Sequence, residues 1–298
     1  MVERNCVALA ERGVLEIAGA DRGDFLQGLI SNDVTKVAAD RAVYAALLTA
    51  QGKYLHDFFV TEVGDAYYLD AEAARLADLK RRLGLYKLRA KVTLADASDR
   101  YIAASAFGEG ALDLLELPSE AGVATEFGGG IAYVDPRLSA LGARLLLPRG
   151  MGTASLEAAG FKPVGAEVYD RMRLSLGVPD GSRDLMIEKA ILLESGFDEL
   201  NGVDWQKGCY VGQELTARTK YRGLVKKRLV PVVVEGPLPA PGTPVMLGNQ
   251  EAGEMRSGQD GIALALLRLE AVDEVSAENP LSAGAARLTP RKPDWANF

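Results

Sequence analysis

Histidine occurs once in these 298 residues, at His56, and cysteine twice, at Cys6 and Cys209. Zinc sites draw about four ligands from His, Cys and carboxylates, and iron-sulfur clusters take about four cysteines. A resident metal or cluster built by this chain alone is therefore not expected. Two cysteines so far apart do not make a disulfide framework and suit a reducing compartment. No apolar run approaches the ~20 residues that cross a bilayer, and the opening MVERNCVALAERG lacks the basic-then-apolar pattern of a secretory signal. The expectation is a cytoplasmic protein with no membrane partner. A surplus of positive charge is missing too: the net charge of -7 excludes a protein that coats nucleic acid or anionic lipid with its whole surface, so any anion site is local.

What is present is the composition of a globular protein, 48% hydrophobic and 25% charged, on a chain longer than one core usually supports. Val7–Ala18 alternates around Glu11, Arg12 and Gly13 and predicts an opening hairpin. Asp21 stands as N-cap before a helix carrying Phe25, Leu26, Leu29 and Ile30, which runs out at Ser31, Asn32 and Asp33. AVYAALLTA, YLHDFFVTEV and AYYLD predict a three-stranded meander, and Ala74, Leu76, Leu79 and Leu83 mark a helix ending near Gly84. Further strands are predicted at KLRAKVTLADAS, YIAASAF, IAYVD and ARLLLP, and helices at Thr153–Ala159 and Ala166–Leu176. The mixture is not a regular βαβ series, so the class is α+β. Around the proline-rich EGPLPAPGTP, a small antiparallel β-domain is expected over 228–288, with Gly248-Asn249 as a hairpin turn. PRKPDWANF, in the tail 289–298, is expected to fray.

Chemistry concentrates in KGCYVGQELTARTKYRGLVKKR, Lys207 to Arg228. Cys209 lies between Gly208 and Tyr210, with Gly212 following. Two readings stand: an accessible thiol, tuned by Lys207 or Arg218 toward thiolate, or a cysteine buried in a glycine turn. With one histidine in the chain, a Cys-His nucleophile requires His56 beside the thiol. Arg218, Lys220, Arg222, Lys226, Lys227 and Arg228 carry six positive charges with no acid among them. That run is either a solvated basic edge or a local site for phosphates of RNA or for carboxylates.

KGCYVGQE, Lys207 to Glu214, resembles the signature of the YgfZ/GcvT-like folate-binding proteins, and the likeness continues through Arg218 and RGLVKKRL. It extends to FLQGLISNDV, LLTAQGKYLHDFFV, YDRMRLSLGVPD and EKAILLESGFDELNGVDW. QKGCYVGQELTART looks closest to the branch that contains iron-sulfur assembly factors. The resemblance implies a GcvT-like ring of two mixed α/β domains plus a C-terminal antiparallel β-barrel-like domain. It places the folate-binding region in 1–227, with a second subdomain over about 48–132.

The resemblance also implies tetrahydrofolate or a derivative as cofactor. Glu194, in the Leu193-Glu194-Ser195-Gly196 turn, matches the acid that holds the pterin, whose ring N–H and amino group offer parallel donors to a carboxylate. Asn32 and Asp33 match a polar turn facing the folate cavity, and Arg171 a structural arginine. Where the related aminomethyltransferase has two adjacent acids, this chain places His56 and Asp57. The implied function is that of an accessory factor in iron-sulfur assembly or repair. Cys209 and Lys207 are its working centre, Gly208, Tyr210, Gly212, Gln213, Glu214 and Arg218 complete the motif, and assembly proteins or client enzymes are its partners. The alternatives are a folate-dependent aminomethyl transferase using Asp57, and an RNA-contacting factor linked to tRNA modification through the basic run.

Overall fold

The computed structural model describes residues 3–298. Two compact units share the chain discontinuously. One comprises the segments up to Leu48, Leu55–Ala166 and Leu200–Val211; the other comprises Thr49–Tyr54, Glu167–Glu199 and Gly212–Phe298.

Among the described residues, eleven strands precede the barrel: β1 (Asn5–Ala8), β2 (Arg12–Ala18), β3 (Val43–Leu48), β4 (Tyr54–Val63), β5 (Ala66–Glu72), β6 (Thr93–Asp96), β7 (Tyr101–Phe107), β8 (Ala124–Phe127), β9 (Gly130–Val134), β10 (Ala143–Pro148) and β11 (Lys162–Pro163). They form a five-stranded sheet, β3-β4-β5-β2-β6, and a six-stranded sheet, β11-β1-β7-β10-β9-β8. The predicted meander is β3-β4-β5. The predicted hairpin is not formed: the turn exists, with Arg12 N–H donating to Leu9 O, but β1 pairs with β7 and β11 while β2 pairs with β5 and β6. Tertiary burial decides this, because Cys6 belongs to the core of the six-stranded sheet and Leu15 and Ile17 to that of the five-stranded one. The chain thus visits the sheets alternately.

Each sheet covers one face with apolar side chains. Leu15, Ile17, Phe58, Val60, Leu69 and Ala71 pack with Leu76, Leu79 and Leu83 of the helix Leu76–Tyr86, as period-2 strands against a period-3.6 helix require. The N-terminal helix is shorter than expected, Arg22–Gln27. Asp21 makes no side-chain cap there and instead accepts Lys91 N–H at 2.7 Å.

The opposite faces meet each other, and there the core is ionic. Asp70 of β5 accepts from Arg12 of β2 at 2.6 Å and from Arg144 of β10 at 2.5 Å. Asp135, fully buried, pairs with Arg137 at 2.8 Å. All three guanidiniums lie over the ring of Phe59, Arg144 at 4.0 Å from its centroid, in cation–π contact. Burial alone would raise the Asp70 pKa, yet the charges of Arg12 and Arg144 hold it below the usual carboxylate range.

The remaining strands, β12 (Lys227–Glu235), β13 (Pro244–Leu247), β14 (Gln250–Gln259), β15 (Ile262–Arg268), β16 (Leu281–Ala283) and β17 (Ala286–Pro290), close into a barrel. Its interior is lined by Val230, Val232, Val245, Met255, Ala265, Leu281 and Leu288, and Gly248-Asn249 turns β13 into β14 as expected. The segment 289–298 does not fray. Arg291 N–H bonds Pro231 O, Trp295 Nε1 donates to Leu176 O at 2.7 Å, Ala296 is buried, and Phe298 packs against the barrel core. Its aromatic residues, Trp295 and Phe298, supply the anchoring area that the prolines obscure in the sequence.

Candidate functional site

The KGCYV segment is a stapled loop. Lys207 Nζ spends its three donors on the carbonyls of Gln27, Ile30 and Asn32, at 2.7, 2.6 and 2.8 Å, while Gln27 Nε2 returns a bond to Lys207 O. Tyr210 is buried with its ring 5.1 Å from the same ammonium, and Val211 N–H donates to Gly28 O. Upstream, Asp204 N–H bonds Ser31 O, and Ser31 Oγ donates to Gly202 O at 2.6 Å. Between these ties Gly208 adopts φ +89° with open space where a Cβ would stand, a conformation open to glycine at little cost. Cys209 is consequently held on a fixed loop with its thiol exposed, whereas Cys6 is buried. Burial, with the charge of Glu157, pushes the Cys6 thiol up to about 11, leaving Cys209 as the accessible one.

Lys207 thus acts on the loop backbone. Burial brings its pKa down to about 8, against the opposing pull of Asp33 and Asp204. Gly212, at φ +83°, starts the helix Gln213–Tyr221, whose first turn carries Glu214 and whose last turn carries Arg218 and Lys220.

Glu194 sits on a 3-10 turn, Leu192–Ser195, closed by Gly196 at φ +72°. A Cβ at Gly196 would lie 2.7 Å from the Trp295 ring, so the C-terminal segment is packed onto the turn. Asn297 N–H extends the contact by bonding Glu199, which also pairs with Arg228 at 2.5 Å. The Glu194 carboxylate is half-buried and accepts no side-chain hydrogen bond among the described residues. Its pKa is raised by burial, against the attraction of Lys227, Lys53 and Arg228. Neither of its oxygens is among the buried atoms left without a partner, so both remain open to solvent and able to accept from a ligand's donors.

Asn32 donates both amide hydrogens to backbone, to Tyr44 O and Asn201 O at 2.7 Å each, and accepts from Asp33 N–H. Both residues therefore shape the turn that Lys207 holds. Burial would raise the Asp33 pKa, but hydrogen bonds from Thr35 and Gln27 and the charge of Lys36 set it below the ordinary range. Arg171 is half exposed and bonds Asp260 O at 2.9 Å. The structural arginine of this helix is Arg173, 1% exposed, which binds Asp170, Asp184, Val178 O and Ser257. MRL has no signal that separates it from Arg171 except the i, i+3 acid Asp170.

Asp57 is buried and accepts the Tyr44 hydroxyl at 2.8 Å. His56, 2% exposed, lies 3.0 Å from Asp78 through Nε2. Burial and the charge of Arg75 bring its pKa down to about 4 in spite of Asp78. An unfolded imidazole titrates near ~6.5, so the unfolded chain binds the extra proton between those values. The stability involved is complete above pH ~6.5 and lost as pH falls toward about 4. Urea denaturation should show a drop from pH 7 to 4.5 that is about 2 kcal/mol smaller in His56→Gln than in the wild type; equal drops would contradict this.

Among the described residues no group of three or more His, Cys, Asp or Glu side chains is arranged to hold a metal, and no helix is long and apolar enough to cross a membrane.

The likenesses to known proteins cover nearly all of the chain. Residues 7–126 match the GCVT N-terminal domain, and residues 226–298 the C-terminal beta-barrel domain of CAF17. The mitochondrial iron-sulfur cluster assembly factor IBA57 of Mus musculus is 33% identical over 312 residues, covering 97% of this chain and 85% of the mouse protein. Its Homo sapiens counterpart is 33% identical over 310 residues, with the same coverage. Among solved structures, the glycine cleavage system aminomethyltransferase T of Bartonella henselae superposes with a TM-score of 0.78 over 99% of this chain and 86% of its own. At 15% identity that likeness speaks for the fold.

Proposed function

We propose that this chain, which belongs to the GcvT-like family of iron-sulfur cluster assembly factors that includes IBA57, serves iron-sulfur assembly as a tetrahydrofolate-binding accessory factor with Cys209 as its working thiol. Family membership carries the assembly role, with assembly proteins or client enzymes as partners. The observation that carries the folate is Glu194, a half-buried carboxylate on a turn packed against Trp295, which accepts no side-chain hydrogen bond among the described residues. Its two oxygens match the paired N–H donors of a pterin. Bound folate would supply a one-carbon or redox-active pterin; the chain's own part is to orient that ring through Glu194 and to present a thiol.

Cys209 is suited to transient bonding because it is exposed on a loop that Lys207 makes rigid, and fixed geometry lowers the cost of meeting a partner. With two free cysteines, one buried, the protein works in a reducing compartment such as the cytoplasm. It keeps its own thiol available and lends it to clusters held by others, a role that its shortage of ligands favours.

The test is restoration of iron-sulfur enzyme activity in cells lacking the chain. Cys209→Ser should fail to restore it, although it folds with an unchanged melting temperature because the side chain is exposed; Cys6→Ser should restore it. Full restoration by Cys209→Ser would remove the thiol from the account.

A further inference from the structure

The basic run ahead of the barrel divides into charges that are used and charges that are not. Lys220 pairs with Asp198 and Arg228 with Glu199, so these two hold the fold together. Lys226 and Lys227 do not join them. Lys227 opens β12, its Cα partner across the ladder is Arg268 at the end of β15, and Leu269 N–H bonds Lys226 O to close that end of the barrel. Here Val225, Lys226, Lys227, Arg268, Leu269 and Glu270 line an open cleft of about 420 Å³. Three cations share it with a single acid, and none of the three makes an ion pair or side-chain hydrogen bond among the described residues. In a chain of net charge -7, this is a local concentration of positive charge with a single acid on its rim.

The cleft lies in the same unit as Glu194, and the two share a residue: Lys227 both lines the cleft and exerts its charge on the Glu194 carboxylate. We infer that the cleft is a polycarboxylate subsite, receiving the γ-linked glutamyl tail of a polyglutamylated folate whose pterin end is held at Glu194. This rests on the folate reading above.

The chemistry suits a flexible chain of spaced carboxylates. Two of the three cations are lysines, point charges on flexible stems that follow a mobile tail without demanding one orientation. Val225 and Leu269 offer apolar wall to the methylenes of each glutamyl unit. Glu270 on the rim disfavours a densely charged phosphate chain more than carboxylates that can step around it. Because the cleft is open, its contribution falls with ionic strength.

Calorimetric titration with mono- and pentaglutamyl tetrahydrofolate at low salt tests this, on the wild type and on the double variant Lys226→Gln, Arg268→Gln. Both residues are exposed, and an unchanged melting temperature will verify the variant's fold. The wild type should bind the pentaglutamate about tenfold more tightly, the size expected of two or three half-exposed ion pairs. The variant should lose that preference while its monoglutamate affinity stays the same, and inorganic phosphate should not erase the preference beyond what chloride does at the same ionic strength. Equal affinities in the wild type, a preference that survives in the variant, or displacement by phosphate but not by chloride at the same ionic strength would overturn the subsite and leave the folate reading standing. Failure of both ligands to bind would overturn the folate reading and the subsite with it.

Discussion

Replacing Asp70 by Asn should cost about 3–5 kcal/mol of stability, because it removes the anion shared by two buried guanidiniums. Arg12 and Arg144 each place a nitrogen within 2.6 Å of its carboxylate, and their side chains are 8% and 4% exposed. Neither has solvent to fall back on, and Asn offers one acceptor oxygen where two charged donors stand. The loss should appear in urea denaturation as a lower midpoint with little change in slope, while Glu62→Gln, which breaks a partly exposed pair with Arg22, should cost no more than ~1 kcal/mol. The comparison separates a structural ion lattice from surface charge. An Asp70→Asn cost below ~1 kcal/mol would mean that water reaches this inter-sheet layer.

Lys207→Met should be nearly as damaging and should injure function as well as fold. The ammonium is the common partner of three carbonyls, and methionine leaves them without a donor in a place too tight for full hydration. About 2–4 kcal/mol is expected from stranding such acceptors. The Cys209 loop loses its staple at the same time, so iron-sulfur enzyme restoration should fall toward the Cys209→Ser level although the thiol is still present. Lys207→Arg should not rescue it, since a planar fork cannot satisfy three carbonyls arranged around one nitrogen. Full function in Lys207→Met would show that Cys209 works without a fixed loop.

The sequence made much of this legible, for identifiable reasons. The meander, the helix carrying Leu76, Leu79 and Leu83, and the terminal barrel follow from periodicity and from turn residues such as Gly248-Asn249. The thiol motif announced itself through glycine spacing and family likeness. The first two strands misled because alternation shows that a strand forms without showing which sheet takes it. The ionic layer stayed hidden for a related reason. Arg12 shares its strand phase with Glu16, and Asp70 with Tyr68 and Glu72, a phase that ordinarily faces water, while Arg144 precedes a run of leucines; only the second sheet, laid against that face, turns them into a core. Lys207 looked like a group to tune the neighbouring thiol, and its partners at Gln27, Ile30 and Asn32 are about 180 residues away. Arg173 differs from Arg171 chiefly in burial, which the sequence does not display. The prolines of PRKPDWANF suggested a loose end, but Trp295 and Phe298 outweigh them.

The Trp295 contact also explains why the last residues belong to the functional account. The indole backs the Gly196 turn and anchors to Leu176 O, so the pose of Glu194 depends on a segment nearly 100 residues downstream.

The central claim is that Glu194 holds a folate, and calorimetric titration of the purified protein with tetrahydrofolate, alongside Glu194→Ala, tests it most directly. The wild type should bind with a dissociation constant in the micromolar range or tighter, and the variant should lose about a hundredfold, the value of a charge-assisted carboxylate contact. Absence of wild-type binding, or equal binding by Glu194→Ala, would contradict the account.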